Sequence, residues 1–218
     1  MTQNSSSKLA VPRGGGKNRK TKKETFIEKA RRQQIMEVAF RMFAEKGFNQ
    51  TSIDEIADEV GVSRGVIFYY FDGKRELGQA TIMQSLRQYG QYVQKRIASR
   101  RTNKTKLLEF VDACLDYQLE HRTDYLVVFD TMGCFGPAEE KYALLARVNR
   151  ITRDMLIDLI KNGQEAGEFG NFPVSDLADV LQGAVDGLME LSAIEDSLVD
   201  HEGCKRMIRR MVLSVLEP

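Results

Sequence analysis

Apolar residues recur at three- and four-residue intervals over most of the chain, a spacing that predicts helices rather than strands. Ile27, Ile35, Val38, Ala39, Met42 and Phe43 fall mostly on one face of a first helix that ends near Lys46 and Gly47. A short second helix carries Ile53, Ile56, Ala57 and Val60; Gly61 stops it, and a short third helix covers 64–70. Leu77, Ile82, Leu86, Tyr89, Val93 and Ile97 then form one stripe to about residue 99, a rod of roughly 40 Å. Further helices are expected over 105–121, 123–132, 137–166, 175–195 and 201–216, separated by Gly133 and the breaker cluster GEFGNFP. No alternating run bounded by turn residues stands out, so the expected fold is all-α, with about nine helices.

Polar residues mark the helix starts. Thr25 with Glu28, and Ser52 with Glu55, have the spacing of capping boxes, in which hydroxyl and carboxylate each satisfy a free backbone N–H. Ser63 and Asp72 are the expected caps of the third and fourth helices, and Pro137 suits a first turn.

Charge divides the chain. The net charge is only +1, yet residues 1–101 carry 20 Lys and Arg against 10 acids, and residues 102–218 carry 12 against 21. A basic half joined to an acidic half points to a polyanion met by the first half alone, although two solvated surfaces of opposite sign would count the same. Residues 1–23, rich in Ser, Gly and Lys and without an acid, read as a basic flexible tail that aids polyanion binding, electrostatically or in a groove, or else as a solubilising leader with no specific contact. The organisation expected is this tail, a first unit over 24–71 and a second over 72–218.

The same inventory argues against other classes. No run approaches the roughly 18 apolar residues of a membrane span, and no apolar leader opens the chain, so a cytoplasmic protein is expected. Cys114, Cys134 and Cys204 lie far apart, and His121 and His201 are the only histidines. Reduced thiols, no metal site and no cofactor are therefore expected. Cys134, near Gly133 and Gly136, is a candidate accessible thiol, but no basic residue lies close in sequence to activate it. Nucleophile elbow, phosphate loop and metal spacing are all missing, which argues against an enzyme.

The segment TSIDEIADEVGVSRGVIFYYF meets the demands of a helix-turn-helix. Ala57 is small enough for close helix approach, Gly61 can take the positive φ of a sharp exit, and Val62 and Ile67 are apolar where the two helices must stick together. The second helix of such a unit offers its N-terminal residues to base edges in the major groove. Arg64 is suited to a bidentate contact with guanine, Gly65 to close backbone approach, and Val66 to a thymine methyl. Phe68, Tyr69, Tyr70 and Phe71 cannot all face one core, so at least one ring points outward, with Tyr69 the candidate for a phosphate contact. Lys74 follows where a cation can also meet phosphate.

Residues 29–77, through AxxxFAEKGFxxTSIDEIA and GVSRGVIFYYFDGKREL, resemble the DNA-binding domain of the TetR (tetracycline repressor) family. The resemblance implies a three-helix DNA-binding domain, a long fourth helix, and a variable helical domain that dimerises through its last two helices and often holds an inducer. It further implies phosphate contacts from Thr51 and Ser52 (side chain and backbone N–H), base reading by Arg64 and Val66, and phosphate contacts from Tyr69, Tyr70 and Lys74. Phe68 departs from the tyrosine usual there, which removes one phosphate-binding hydroxyl.

In the C-terminal half, 175–216 carries two apolar stripes and the close pair Gly183 and Gly187, the expected homodimer interface. Tyr89, Phe110, Cys114, Tyr117, Phe129, Met132 and Met155 are candidates for lining a pocket for a small, mostly apolar effector; residues of these types are equally suited to an ordinary core. The function expected is a ligand-responsive repressor that binds a near-palindromic site on double-stranded DNA as a homodimer. A DNA-organising protein of the same fold, or an activator without an inducer, remains the alternative.

Overall fold

The computed structural model describes residues 25–134, 136, 138–195 and 199–216. The tail 1–23 and Pro137 lie outside the described residues. Among the described residues the regular structure is helical: α1 (Phe26–Lys46), α2 (Ile53–Val60), α3 (Arg64–Tyr70), α4 (Lys74–Ala98), α5 (Asn103–Glu120), α6 (Arg122–Thr131), α7 (Ala138–Glu165), α8 (Val174–Ile194) and α9 (His201–Leu216). A single 3-10 turn, Met132–Cys134, follows α6.

The chemistry of the helix ends explains most boundaries. Both expected capping boxes form, Thr25 with Glu28 and Ser52 with Glu55. Gly47 ends α1 at φ +84°, and Gly61 ends α2 in the left-handed conformation at φ +74°. Two expected caps differ. Ser63 occupies the N-cap of α3 but makes no side-chain capping bond. Asp72 is not the cap of α4; Gly73 is, at φ +124°, where a side chain would be strained, and the Asp72 N–H is held by Glu76 instead. Likewise α8 starts at Val174 behind Pro173, ahead of Ser175.

Two apolar clusters lie along α4, which serves both. The N-terminal cluster joins Ile35, Ala39 and Phe43 of α1 to Ile56, Ala57, Ile67 and Phe71, and extends to Leu77 and Ile82 of α4 and Val127 and Met132 near α6. The second gathers Val93 and Ile97 of α4 with Phe110, Cys114 and Leu115 of α5, Leu156 and Ile160 of α7, Leu181 and Val185 of α8, and Ile208 and Val212 of α9. The rod thus carries the small N-terminal unit at one end and is embedded in the large bundle at the other.

The joint between the two is tightly built. The Phe48 N–H donates to Asp130 Oδ2 at 2.7 Å, and Lys74 Nζ donates to the Phe48 and Asn49 carbonyls at 3.0 and 3.2 Å. A Cβ on Gly78 would meet the Phe48 ring at 2.7 Å, Thr131 at 3.2 Å and Cys134 Sγ at 3.3 Å, so glycine allows α4 to cross the α1–α2 loop and the end of α6 this closely. Arg75 pairs with Glu140 of α7 at 2.5 Å.

Candidate DNA-reading face

Helix α3 is anchored from beneath. Ile67 and Phe71 are buried in the N-terminal cluster, with Val62 and Tyr70 packed at its edge. The turn before it is fixed by two backbone bonds: the Val62 N–H returns to the Ala57 carbonyl at 2.9 Å and the Gly61 N–H to Asp58 at 3.0 Å. Anchoring on these residues leaves Arg64, Gly65, Phe68 and Tyr69 outside, with Val66 half-buried. Of the four consecutive aromatics, two are exposed, Phe68 at 42% and Tyr69 at 52%. The protein therefore offers two rings outward where steric reasoning required one.

The outward side chains have partners. Arg64 Nη1 lies 3.1 Å from Asp54 Oδ2 of α2, and its guanidinium sits over the Phe68 ring, 5.2 Å from the centroid. The Tyr69 hydroxyl donates to Glu28 Oε1 of α1 at 2.9 Å, and its ring meets Tyr70 edge-on at 4.9 Å. A Cβ on Gly65 would meet only the Ser63 hydroxyl, at an ordinary 3.7 Å, so glycine there leaves the surface low rather than relieving a clash.

Thr51, Ser52 and Lys74 are placed otherwise than as free phosphate ligands. Thr51 is 1% exposed, and its hydroxyl donates to the Gly47 carbonyl at 2.9 Å, which closes the loop between α1 and α2. Its side chain is thus a structural tie, and only its backbone remains as a candidate contact. Ser52 is exposed, but its hydroxyl caps α2, and its N–H donates to Glu55 Oε2 at 2.8 Å. Lys74 is half-buried on the loop carbonyls and the Phe48 ring, where its charge can reach phosphate only from the second rank.

One titration follows from this cap. Glu55 accepts a hydrogen bond from Lys46 at 2.8 Å and others from the Ser52 N–H and hydroxyl, and these hold its carboxyl down at about 2. A carboxyl lowered on folding contributes its stabilisation fully above the ordinary glutamate value, and that contribution fades as pH falls through about 2. A side-chain carbon NMR titration is expected to find Glu55 still ionised at pH 3.5, where ordinary glutamates are mostly protonated. A Glu55 midpoint above 4 would mean that the cap and the Lys46 contact are open in solution.

The candidate effector residues divide. Tyr89, Phe110, Cys114 and Met155 belong to the large cluster, with Tyr117 against Tyr89 at 5.2 Å between centroids. Phe129 is instead exposed on α6, and Met132 lies in the N-terminal cluster under the joint. The other five lie in or against the large packed cluster. An open polar cleft of about 540 Å³ lies between α7 and α8, edged by Asn149, Arg150, Arg153, Asp154, Gln182 and Asp186. Cys134 is buried, not accessible, and burial pushes the thiols of both Cys114 and Cys134 up to about 12, which suits packing rather than redox chemistry.

Three arrangements escaped the sequence reading. The Asp54–Arg64 pair joins two helices across ten positions, with no local spacing to announce it. The Asp130 bond to the Phe48 N–H spans 82 positions. The third is a stack of ion pairs through α5: Glu109 with Arg96 of α4 and with Arg100 just past its end, Asp116 with Arg96 and with Lys205 of α9, and Asp112 with Arg209 of α9.

A family model described as bacterial regulatory proteins, tetR family, matches residues 35–81, the span of α1, the helix-turn-helix and the start of α4. Over that span the chain matches the tetR family of bacterial regulatory proteins. Longer stretches of the chain are similar to individual regulators. The HTH-type transcriptional repressor KstR2 of Mycobacterium tuberculosis is 24% identical over 143 residues, 64% of this chain and 70% of that protein. The HTH-type transcriptional activator FasR of Mycolicibacterium smegmatis is 30% identical over 101 residues, 46% of each. The transcriptional regulator FadR of Bacillus subtilis, solved with stearoyl-CoA, superposes with a TM-score of 0.69 at 18% identity, covering 85% of this chain and 99% of that one. The last is a likeness of fold. The curated proteins named here are HTH-type transcriptional regulators, and no helix among the described residues of this chain is long and apolar enough to cross a membrane.

Proposed function

We propose that this chain is a TetR-family regulator, a ligand-responsive repressor that binds a near-palindromic operator as a homodimer and reads bases through Arg64 and Val66. The reading unit is 24–71, and 72–218 receives the effector and the second subunit. The observation that carries the reading is the division of α3 into a buried anchor, Ile67 with Phe71, and an exposed edge holding Arg64, Gly65 and Tyr69.

Dimerisation is supported by a surface that the monomer leaves wet. Val180, Leu191 and Ile194 of α8 and Met207, Met211 and Val215 of α9 are all exposed, from 44% at Val215 to 71% at Ile194. Gly183 and Gly187 share that side of α8, and a Cβ on either would touch nothing within 4 Å. A two-fold axis through this surface would set two α3 helices about one DNA turn apart, roughly 34–36 Å.

For the effector we infer an apolar body with a polar end. The apolar part would enter among Tyr89, Phe110, Cys114, Tyr117 and Met155, and the polar end would remain in the α7–α8 cleft. The stearoyl-CoA of the Bacillus subtilis FadR is a ligand of that chemical kind. Because those five side chains are close-packed, such a ligand must bind a different conformation better, and that differential affinity is what would move α4. Whether occupancy of the operator represses or activates depends on its position at the promoter, and an activator stands among the similar proteins.

Selection from a random duplex library, with wild type and Arg64→Ala in parallel at two salt concentrations, tests the proposal. Wild type is expected to enrich a near-palindrome, and the variant to lose discrimination at one symmetric pair of positions. Equal binding of every duplex by both proteins, with one salt slope, would instead favour a DNA-organising role.

A further inference from the structure

We propose that Asp54 and Phe68 are positioning residues that set base specificity by presenting the Arg64 guanidinium to DNA in a single pose. The inference rests on Arg64 being a base reader, as proposed above, and goes further in assigning what aims it. An exposed arginine on a seven-residue helix is a long, freely rotating side chain, and bidentate reading of guanine needs its planar fork held at one angle.

Two groups from different directions supply that restraint. Asp54, on α2, takes Nη1 at 3.1 Å and so fixes one edge of the fork. Phe68, one turn along α3, lies under the guanidinium plane at 5.2 Å. Phe68 is otherwise hard to account for: it is among the exposed large apolar side chains, belongs to neither apolar cluster, and has no hydroxyl for a phosphate. As the floor of an arginine cradle it has a use that needs only the ring.

Asp54 adds discrimination of a second kind. When Arg64 meets its base, the carboxylate stays paired while DNA covers it. A wrong base that turns the guanidinium aside leaves that carboxylate facing the phosphates without its partner, a repulsive element aimed at incorrect sequences. Removing the charge should therefore strengthen binding to all duplexes while weakening the preference for the correct one.

The test compares affinities for the selected operator and for the same duplex altered at the Arg64-dependent base pair. Arg64→Ala is expected to cut that ratio by roughly five- to a hundredfold, the range for a lost bidentate contact. Asp54→Asn and Phe68→Ala are each expected to cut it about two- to fivefold, as befits an exposed ion pair and an exposed cation–ring contact. Asp54→Asn should also tighten binding to unrelated DNA, and Phe68→Tyr, which keeps the ring, should keep the ratio. In an Arg64→Ala background, neither Asp54→Asn nor Phe68→Ala should change the ratio further. Full discrimination by both Asp54→Asn and Phe68→Ala, where Arg64→Ala has lost it, would overturn the cradle and leave Arg64 as the reader. An unchanged ratio in Arg64→Ala would overturn the base-reading assignment and the cradle with it. All three side chains are exposed, so the variants should fold, and preference at one base pair is a readout that loss of structure would not produce selectively.

Discussion

Glutamate at both Leu191 and Met211 is expected to leave folded monomers that hold the operator about a thousandfold less tightly than the parent. Both side chains are about half exposed in the single chain, Met211 at the middle of the outer row of α9 and Leu191 in the last turn of α8. The residues that hold α8 and α9 to their own bundle are different ones: Leu181 and Val185 on α8, Ile208 and Val212 on α9. Charging the outer row therefore attacks only what a second subunit would cover. Two carboxylates per chain, four in all across a two-fold axis, would have to be buried without partners, a cost well beyond what an interface of ordinary size can absorb. The loss at the operator follows from linkage. In a dimer the second recognition helix binds at an effective concentration in the millimolar range, which multiplies affinity by about a hundred to ten thousand without any new contact. Sedimentation velocity would report the association state, and fluorescence anisotropy on a labelled operator the affinity. A variant that still sediments as a dimer would move the interface away from α8 and α9. A monomer with undiminished affinity would mean that each chain reads its own half-site independently.

The reading head was legible in the sequence because its determinants are local. Two capping boxes, a glycine that must be left-handed and a tight apolar spacing each act within a few residues, and α2 and α3 follow from them. What the sequence hid was the partner of each outward group. Thr51 looks like a surface hydroxyl until the fold brings the Gly47 carbonyl over it, and Lys74 looks like a phosphate ligand until the α1–α2 loop folds across it. The pocket was less legible for a chemical reason. Tyr, Phe and Met fill a core and line a cavity equally well, so nothing in composition separates Tyr89, which joins the bundle, from Phe129, which stands in solvent. Glu109, Asp112 and Asp116 are a different case: they recur at helical spacing and form a readable acidic stripe, but a search for apolar faces passes over it.

That stripe leads to the second large effect: Glu109→Ala is expected to lower the melting temperature by about 5–10 °C at fixed protein concentration. Glu109 is 3% exposed and accepts from Arg96, and from Arg100 Nε at 2.7 Å, so it bears the charge of two arginines, one in the last turn of α4 and one just past it. Breaking a buried pair by deleting one partner costs about 3–5 kcal/mol. Both arginines are partly exposed and can regain water, which brings the expectation down to about 2–3 kcal/mol. At about 2–4 °C per kcal/mol for a chain of this size, the stated shift follows. The surrounding pairs decide its pH dependence. Burial raises the Asp116 carboxyl, but hydrogen bonds from Lys205 and Arg96 outweigh burial and leave it below its ordinary value. Burial lowers Lys205, yet its bonds to Asp116 and Glu202 leave it raised. The contribution of Asp116 is therefore lost only as pH falls through its lowered value, and that of Lys205 only as pH rises through its raised one. The melting difference between parent and variant should accordingly be flat across neutral pH, and differential scanning calorimetry from pH 6 to 8 measures it. A variant melting within about a degree of the parent would mean that Arg96 and Arg100 are as well served by water as by Glu109. A large loss would mean that the C-terminal half of α4 is fixed through α5 to α9, so that any movement of the rod must pivot there and appear at its other end, where Gly78 and Lys74 hold the reading head.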